Sequence, residues 1–269
     1  MDRKKLLSVI FLLIISLMFT LTGCHGTYVD SDQDDDQDVI IMDNTHEESG
    51  ESDQTDNDSN IDEYDEETNN SYVPVAEAGD YSVFENALFI GDSRTEGLQL
   101  YSGIKGADFF CAKGLSMYEI VNGETVNMPG GISVSIRELL EQNDYSKVYI
   151  GLGMNDLGMK YIEEFIEQYE LLIAMVQELQ PESEIYVQAL IPVTQEKSDN
   201  HEYVNNGQIF WYNSHIYEMT ENLDVTYVNP DNGLVGSDGA LIPDGSFDGV
   251  HFSKEYCIIW ANNLAEMTE

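Results

Sequence analysis

Three side chains that lie far apart in the sequence could together carry out nucleophilic chemistry. Ser93 follows the apolar run ALFIG in the stretch ALFIGDSRTEGL, and Asp248 and His251 lie in the stretch DGVHFS. A serine hydroxyl is a weak nucleophile unless a base takes its proton, and a histidine base works best when a carboxylate holds its other ring nitrogen. The three residues therefore predict a nucleophile, a general base and the carboxylate that orients the base.

Each residue alone also has an ordinary structural explanation. The tripeptide Gly91-Asp92-Ser93 is typical of a strand-to-helix turn with a capping side chain, and Asp248 before a glycine is typical of a turn. A lone His251 is most often a structural or surface histidine. The combination favours an active site, because Asp248 and His251 lie three residues apart in a turn-rich loop and can point in one direction. Ser253 is expected to cap the helix that follows.

An acyl-transfer site also needs hydrogen-bond donors for the negatively charged oxygen of its tetrahedral intermediate. Each such donor contributes about 3 kcal/mol to the stability of the transition state. The backbone N–H of Ser93, a backbone N–H in a glycine-containing loop and the side-chain amide of Asn155 could supply three.

The elements that must position these residues alternate between strand and helix from residue 81 onward. Five short apolar runs are typical of buried parallel strands: ALFIG, DFFCA, KVYIGLG, EIYVQALIPV and VTYVNP. The clearest helical periodicity covers residues 161–179 and ends before Pro181. This alternation predicts a doubly wound α/β sheet, in which ligands bind outside the carboxyl ends of the strands. The candidate residues follow the first and third strands, and Lys113 and Gly114 follow the second.

Four short blocks, in order, resemble those of the SGNH/GDSL hydrolases. They are GDS at 91–93, a glycine after the second strand, GMND at 153–156 and DGVH at 248–251. The resemblance covers residues 81–269. It implies a flavodoxin-like fold of the α/β class, a three-layer α/β/α sandwich with a five-stranded parallel sheet.

The resemblance also implies a role for each block. Ser93 would be the nucleophile, His251 the general base and Asp248 its orienting carboxylate, while Ser93, Gly114 and Asn155 would form the oxyanion hole. The second block departs from the family pattern, because many members place the glycine further into the loop, where this chain has LSMY. The backbone N–H of Ser116 or Met117 is therefore an alternative donor to that of Gly114.

The start of the chain has the layout of an export signal. Residues 1–23 combine a basic beginning with an apolar stretch shorter than the ~20 residues that a membrane-spanning helix needs. The stretch LTGC at 21–24 resembles a bacterial lipobox, in which Cys24 would carry the lipid, although an ordinary signal peptide is the alternative. We therefore expect an exported protein that is lipid-anchored at Cys24 to the outer face of the bacterial cell membrane.

Residues 24–80 are expected to form a disordered acidic tether before the hydrolase domain at 81–269. Residues 25–70 contain 18 Asp or Glu residues and no Lys or Arg, a composition that cannot bury enough apolar surface to fold. Within the tether, residues 56–67 follow the spacing of a calcium loop, but Ile61 replaces the required glycine. We therefore do not expect calcium binding there.

Composition and motifs also restrict the partners. The net charge of −40 argues against binding to nucleic acid, which needs basic patches. No metal motif is present, and the predicted mechanism needs no cofactor. Of the other histidines, His25 and His46 lie in the predicted tether, and neither His201 nor His215 has a partner carboxylate at a comparable loop spacing. Cys111 and Cys257 could form a disulfide, but both lie in apolar runs where free thiols pack well.

The function that we expect is an extracellular serine esterase that removes a small acyl group, such as acetyl, from a carbohydrate or cell-wall ester. One alternative is an acyltransferase that uses the same triad with a sugar hydroxyl as acceptor. The absence of a multi-span membrane segment, which could bring an acyl donor from the cytoplasm, favours water as the acceptor. A second alternative is a binding lipoprotein without activity, against which the complete set of site residues argues.

Overall fold

The computed structural model describes residues 76–269. The predicted signal peptide, Cys24, the calcium-loop-like stretch and nearly all of the predicted tether lie outside the described residues, so their assignments stay predictions. The main strands and helices are, in chain order, β1 Ala87–Gly91, α1 Ser93–Tyr101, β2 Asp108–Cys111, α2 Met117–Val121, β3 Thr125–Met128, β4 Ile132–Ser135, α3 Ile136–Gln142, β5 Lys147–Gly151, α4 Ile162–Leu179, β6 Glu184–Gln188, α5 Gln195–Asn200, α6 Asn206–Thr220, β7 Thr226–Val228 and α7 Lys254–Met267.

Five strands form one parallel sheet in the order β2-β1-β5-β6-β7. This arrangement confirms the predicted five-stranded α/β sheet. The two other strands, β3 and β4, pair with each other as an antiparallel hairpin that the sequence analysis did not predict. Its tight turn contains Pro129, Gly130 and Gly131, a composition typical of hairpin loops.

Two hydrophobic cores cover the two faces of the sheet. Alternate residues of β1 serve opposite faces, as the two-residue period of a strand requires: Leu88 and Ile90 join the core formed with α2, α3, α4 and α6, and Phe89 joins the core formed with α1 and α7. The chain is therefore a three-layer α/β/α sandwich. The predicted helix at 161–179 is α4, which begins at Ile162.

The strand order reverses between β1 and β5, because β2 lies on one side of β1 while β5, β6 and β7 follow on the other. In open parallel sheets such a reversal leaves a crevice at the carboxyl ends of the two strands. Ser93 follows β1 and Asn155 follows β5, so both residues lie at this crevice. The fold thus brings the first and third sequence blocks to the same edge.

Several predicted strands end earlier than their apolar runs. The run EIYVQALIPV yields a strand only as far as Gln188, and the residues that follow leave the sheet to build its carboxyl edge. Residues 76–269 contain no helix that is both long enough and apolar enough to cross a membrane. Cys111 and Cys257 are buried free thiols, and burial raises the pKa of each to about 12.

Candidate active site

Ser93, His251 and Asp248 form one continuous hydrogen-bonded chain. The Ser93 hydroxyl oxygen lies 2.9 Å from His251 Nε2, and His251 Nδ1 lies 2.6 Å from an Asp248 carboxylate oxygen. Residues 158 positions apart in the sequence are thereby in direct contact. The fold brings together the three side chains that the sequence analysis grouped.

The loop that carries Asp248 and His251 is held by its own side chains. Asp248 Oδ1 accepts the backbone N–H groups of Val250 at 2.9 Å and His251 at 2.8 Å. Partial burial alone would raise the pKa of Asp248, but the hydrogen bonds from the His251 backbone and ring and from Val250 outweigh it and lower the pKa to about 2. An ionised Asp248 requires the His251 proton on Nδ1, which leaves Nε2 free to accept the Ser93 proton.

The turn before Ser93 depends on a capping side chain and on close packing. Asp92 caps α1 by accepting the Arg94 backbone N–H at 2.9 Å, so the predicted strand-to-helix turn with a capping side chain is present beside Ser93. A Cβ atom at Gly91 would lie 1.9 Å from Thr95 Oγ1. Glycine is therefore required for α1 to begin directly against the end of β1. Burial raises the pKa of Asp92.

Arg94, which the sequence analysis did not single out, links the nucleophile to the histidine loop. Its Nε donates to the Val250 carbonyl at 2.9 Å, and its guanidinium nitrogens also donate to the carbonyls of Ile191 at 2.5 Å and Pro192 at 3.4 Å. The guanidinium lies 4.8 Å from the centroid of the Phe252 ring. Burial lowers the pKa of Arg94 to about 10, so it stays charged at neutral pH.

In the second block the backbone N–H of Gly114 is free to donate, whereas those of the two alternatives, Ser116 and Met117, are already hydrogen-bonded. The Ser116 N–H donates to Glu119 at 2.8 Å, and the Met117 N–H donates to Asp156 at 3.1 Å, so both are occupied. Within residues 76–269 the N–H of Gly114 has no acceptor. Gly114 has a φ of +79°, a conformation that glycine adopts without strain.

Asn155 lies in a single helical turn, Met154–Asp156, after β5. Its side-chain amide donates one N–H to the Leu115 carbonyl at 3.0 Å, which orients the amide and leaves the second N–H for a ligand. The neighbouring Asp156 is buried and accepts the Met117 N–H. Burial raises the pKa of Asp156 to about 6, against the opposing effect of the Met117 hydrogen bond. The hydrogen bonds from Asn155 to Leu115 and from Met117 to Asp156 join the segment after β2 to the segment after β5.

A cavity of about 200 Å³ contains these groups. Its lining includes Asp92, Ser93, Arg94, Lys113, Gly114, Met154, Asn155, Lys197, Val204, Val250 and His251. A larger groove of about 530 Å³ adjoins it beyond Asp248 and shares Lys197 with it. Four of the five predicted catalytic and oxyanion positions, Ser93, Gly114, Asn155 and His251, therefore border one space. The fifth, Asp248, lines the groove and contacts the cavity through His251.

Ser253 differs from its prediction. It occupies the position before α7, but its side chain makes no capping hydrogen bond, and its buried Oγ has no partner within the described residues. The backbone instead holds this corner, because the Ser253 N–H donates to the Gly245 carbonyl at 2.8 Å. The prediction that the Ser253 side chain caps α7 is therefore wrong, although Ser253 does occupy the N-cap position of the helix.

The two other described histidines bond locally. His201 Nδ1 accepts the backbone N–H of Val204 at 2.9 Å, and His215 Nδ1 lies 2.8 Å from the Trp211 carbonyl. Neither lines the cavity. Residues 76–269 hold no cluster of three or more His, Cys, Asp or Glu side chains that could bind a metal ion.

The chain is a three-layer α/β/α sandwich with this set of polar groups where the strand order reverses, an arrangement suited to ester hydrolysis. Residues 89–255 match the GDSL-like lipase/acylhydrolase family. The chain belongs to that family, also called the SGNH hydrolases, as the sequence blocks predicted.

Similar solved structures agree on the fold. A protein from Streptococcus pneumonia that is described as a platelet activating factor is 23% identical to this chain, with a TM-score of 0.56 over 69% of this chain and 84% of that chain. A GDSL-like lipase from Bacteroides thetaiotaomicron is 15% identical, with a TM-score of 0.50 over 72% of this chain and 93% of that chain. A search of curated proteins found no match.

Proposed function

We propose that this protein is an exported, lipid-anchored serine esterase that removes acetyl or another small acyl group from a carbohydrate or cell-wall ester. The observation that carries the proposal is the chain of hydrogen bonds from the Ser93 hydroxyl through His251 to Asp248, 2.9 Å and 2.6 Å long. These lengths fall in the range expected of a nucleophile, its base and the group that orients the base.

In the first half of the proposed reaction, His251 Nε2 takes the Ser93 proton while Ser93 Oγ bonds to the ester carbonyl carbon. The carbonyl electron pair moves to its oxygen, which accepts hydrogen bonds from the N–H groups of Ser93 and Gly114 and from the Asn155 amide. The intermediate collapses, the carbon–oxygen bond to the alcohol breaks, and His251 gives its proton to the departing alcohol. Asp248 stays ionised and stabilises the imidazolium throughout.

In the second half, a water molecule loses its proton to His251 and attacks the acyl group on Ser93. Collapse of the second intermediate breaks the bond to Ser93 Oγ, which regains a proton from His251, and releases the acid. The preference for a small acyl group is supported by the cavity volume of about 200 Å³, which is below the range typical of pockets for drug-sized ligands. The carbohydrate substrate and the lipid anchor are supported by the export signal and the lipobox-like LTGC alone.

The direct test is hydrolysis of p-nitrophenyl acetate by the wild-type protein and by Ser93→Ala. We expect Ser93→Ala to lose turnover while keeping its circular dichroism spectrum and unfolding temperature. Ser116→Ala, in the loop after β2, is the matched control and should retain turnover. Hydrolysis by a cleanly folded Ser93→Ala protein would exclude Ser93 as the nucleophile.

Transfer of the acyl group to a sugar hydroxyl is a second candidate, because the 530 Å³ groove beside Asp248 could seat an acceptor. Pro243, Ser246 and Phe247 line this groove. The two reactions differ only in whether water or a hydroxyl reaches the acyl-enzyme. Mass spectrometry of incubations with an acetyl donor and increasing cell-wall saccharide distinguishes them. Free acetate as the main product at every concentration supports the esterase, and acetylated saccharide that rises at its expense supports the transferase.

A further inference from the structure

Two lysines from separate segments of the chain, a loop and a helix, line the cavity that contains Ser93 and His251. Lys113 follows β2 in the chain, and Lys197 lies in the first turn of α5; both contribute to the lining of the 200 Å³ space that contains Ser93 and His251. Lys113 is exposed and Lys197 is partly buried. Within residues 76–269, neither lysine has a carboxylate within 4.0 Å of its ammonium group.

This placement is unusual for a protein of such acidity. The described residues contain 32 Asp or Glu and only 8 Lys or Arg, so a random surface of this domain would show about four acids for each base. The cavity lining instead includes both lysines and a single carboxylic acid, Asp92. Asp92 is buried and accepts the Arg94 N–H, so it does not face a ligand as an exposed anion.

The neighbouring charges leave the lysines available. Glu119 holds the N–H and hydroxyl of Ser116, and Glu196 lines the adjoining groove but not the cavity. Arg94 also borders the cavity, but its guanidinium already donates to three backbone carbonyls. The ammonium groups of the two lysines are therefore the positive charges free to meet a substrate.

Lys197 is also held close to the histidine loop. The Thr194 backbone N–H donates to the Gly249 carbonyl at 3.0 Å, and a Cβ atom at Gly249 would lie 2.8 Å from Lys197 Cβ. Gly249 has a φ of +82°, which lets the loop turn tightly against α5. Packing thus holds the Lys197 backbone against Gly249, two residues before His251, which would protonate the departing alcohol in the proposed reaction.

We propose that the ester cleaved by this site carries an anionic group, a carboxylate or a phosphate, on its alcohol portion, which Lys113 and Lys197 bind. The inference rests on the proposed esterase function and specifies its substrate class. A positive cavity rim would attract such an ester to this site, whereas the carboxylates on the rest of the acidic domain would repel it. The alcohol portion is the one named because it leaves from the side of His251, where Lys197 lies.

The test compares acetate esters that differ in the charge of the alcohol. The probes are 4-acetoxybenzoate, its neutral analogue 4-acetoxybenzamide, and 4-acetoxyphenyl phosphate, and the readout is the ratio of kcat/KM for each anionic ester to that for the neutral one. Dividing the ratio for a variant by the wild-type ratio removes the intrinsic reactivity of the esters. The carboxylate and phosphate probes distinguish the two sources of the anion.

We expect Lys113→Gln and Lys197→Gln each to lower this ratio about threefold and the double variant to lower it about tenfold, as partly exposed ion pairs would. The wild-type ratio should also fall as salt is raised. The control is Lys105→Gln, because Lys105 lies before β2 and away from the carboxyl edge of the sheet. This variant should leave the ratio unchanged. A loss that is equal for charged and neutral esters, or an unchanged ratio in the double variant, would overturn the proposal.

A failure of the anion-site proposal can be distinguished from a failure of the esterase proposal. If neither type of ester is hydrolysed in a Ser93-dependent way, the proposed function fails. The lysines can then still be tested by NMR titration of the Ser93→Ala protein with 4-hydroxybenzoate and 4-hydroxybenzamide. Weaker binding of the benzoate after both lysines are replaced supports the anion site, and equal binding of the two compounds by the protein with both lysines contradicts it.

Discussion

Arg94 Nε donates a hydrogen bond to the Val250 carbonyl at 2.9 Å, across 156 positions of sequence. The contact joins the residue after Ser93 to the residue before His251. One buried side chain thus ties the element that carries the nucleophile to the loop that carries the base. The distance between Ser93 Oγ and His251 Nε2 therefore depends on a group that touches neither atom.

Replacing Arg94 with lysine should weaken both the fold and catalysis. An ammonium group cannot serve the three carbonyls that the planar guanidinium reaches, so we expect a loss of about 2–4 kcal/mol in the free energy of unfolding. We also expect kcat to fall at least tenfold in the folded protein, with a smaller change in KM. Urea unfolding and steady-state kinetics measure the two effects. The control is Arg137→Lys, because Arg137 is a surface residue whose guanidinium lies 3.8 Å from Glu141; this variant should change neither the free energy of unfolding nor kcat. A destabilised Arg94→Lys protein with normal kcat would mean that Arg94 has a purely structural role.

Removing the Asn155 amide should lower kcat by about 10²–10³ with little effect on KM, because the amide should bind the oxyanion and not the ground-state carbonyl. The same variant loses a hydrogen bond to the Leu115 carbonyl. Asn143→Ala is the matched control, since Asn143 likewise donates to a backbone carbonyl, that of Leu139, at 2.9 Å. A change confined to KM in Asn155→Ala would make Asn155 a substrate-positioning or turn residue.

Gly114→Ala tests the backbone donor of the second block. Gly114 and Gly123 have φ values of +79° and +88°, and a Cβ atom at either would have nothing within 4 Å. Both alanine variants should therefore lose about 1 kcal/mol of stability through backbone strain. Only Gly114→Ala should lose tenfold or more in kcat, because relief of the strain turns its N–H away. Equal kcat in the two variants would place the donor elsewhere.

The raised pKa of Asp156, about 6, predicts a pH-dependent contribution to stability. The folded state keeps the Asp156 proton between the unfolded pKa near 3.8 and the folded pKa, so stability falls as pH rises through that window. Asp156→Asn keeps an acceptor for the Met117 N–H and removes the titration. Relative to wild type it should gain stability between pH 4 and pH 7, by on the order of 2 kcal/mol. Urea unfolding at several pH values measures the free energy of unfolding of both proteins, and Asp144→Asn, at an exposed position, is the control. A difference between Asp156→Asn and wild type that does not change with pH would refute the prediction.

Lipid attachment at Cys24 is tested by labelling in the bacterial host. We expect the wild-type protein to incorporate radiolabelled palmitate and to partition into detergent, and Cys24→Ser to do neither. Cys111→Ser should keep the label, because Cys111 is a buried free thiol of the folded domain. An unlabelled wild-type protein would be an ordinary secreted enzyme.

Local sequence patterns alone determined the strand β1, the helix α4 and the pairing of Asp248 with His251. Each depends on near neighbours in the chain: a run of buried β-formers, a repeat every three or four residues, and a spacing of three in one loop. The five-stranded parallel sheet also followed, because alternating strands and helices leave few other topologies. The β3–β4 hairpin was missed even though Pro129 and two glycines mark its turn.

Only the tertiary structure decided which groups complete the site. The proposal of Gly114 as donor in place of Met117 depends on Asp156, which is 39 residues away from Met117 and accepts its N–H. The role of Arg94 depends on carbonyls 97 and 156 residues distant. The shared cavity of Lys113 and Lys197 depends on a loop and a helix that meet only in the fold. Residue types and short spacings fix the chemistry a chain can offer, but the partner of each donor and charge is set by packing between distant segments.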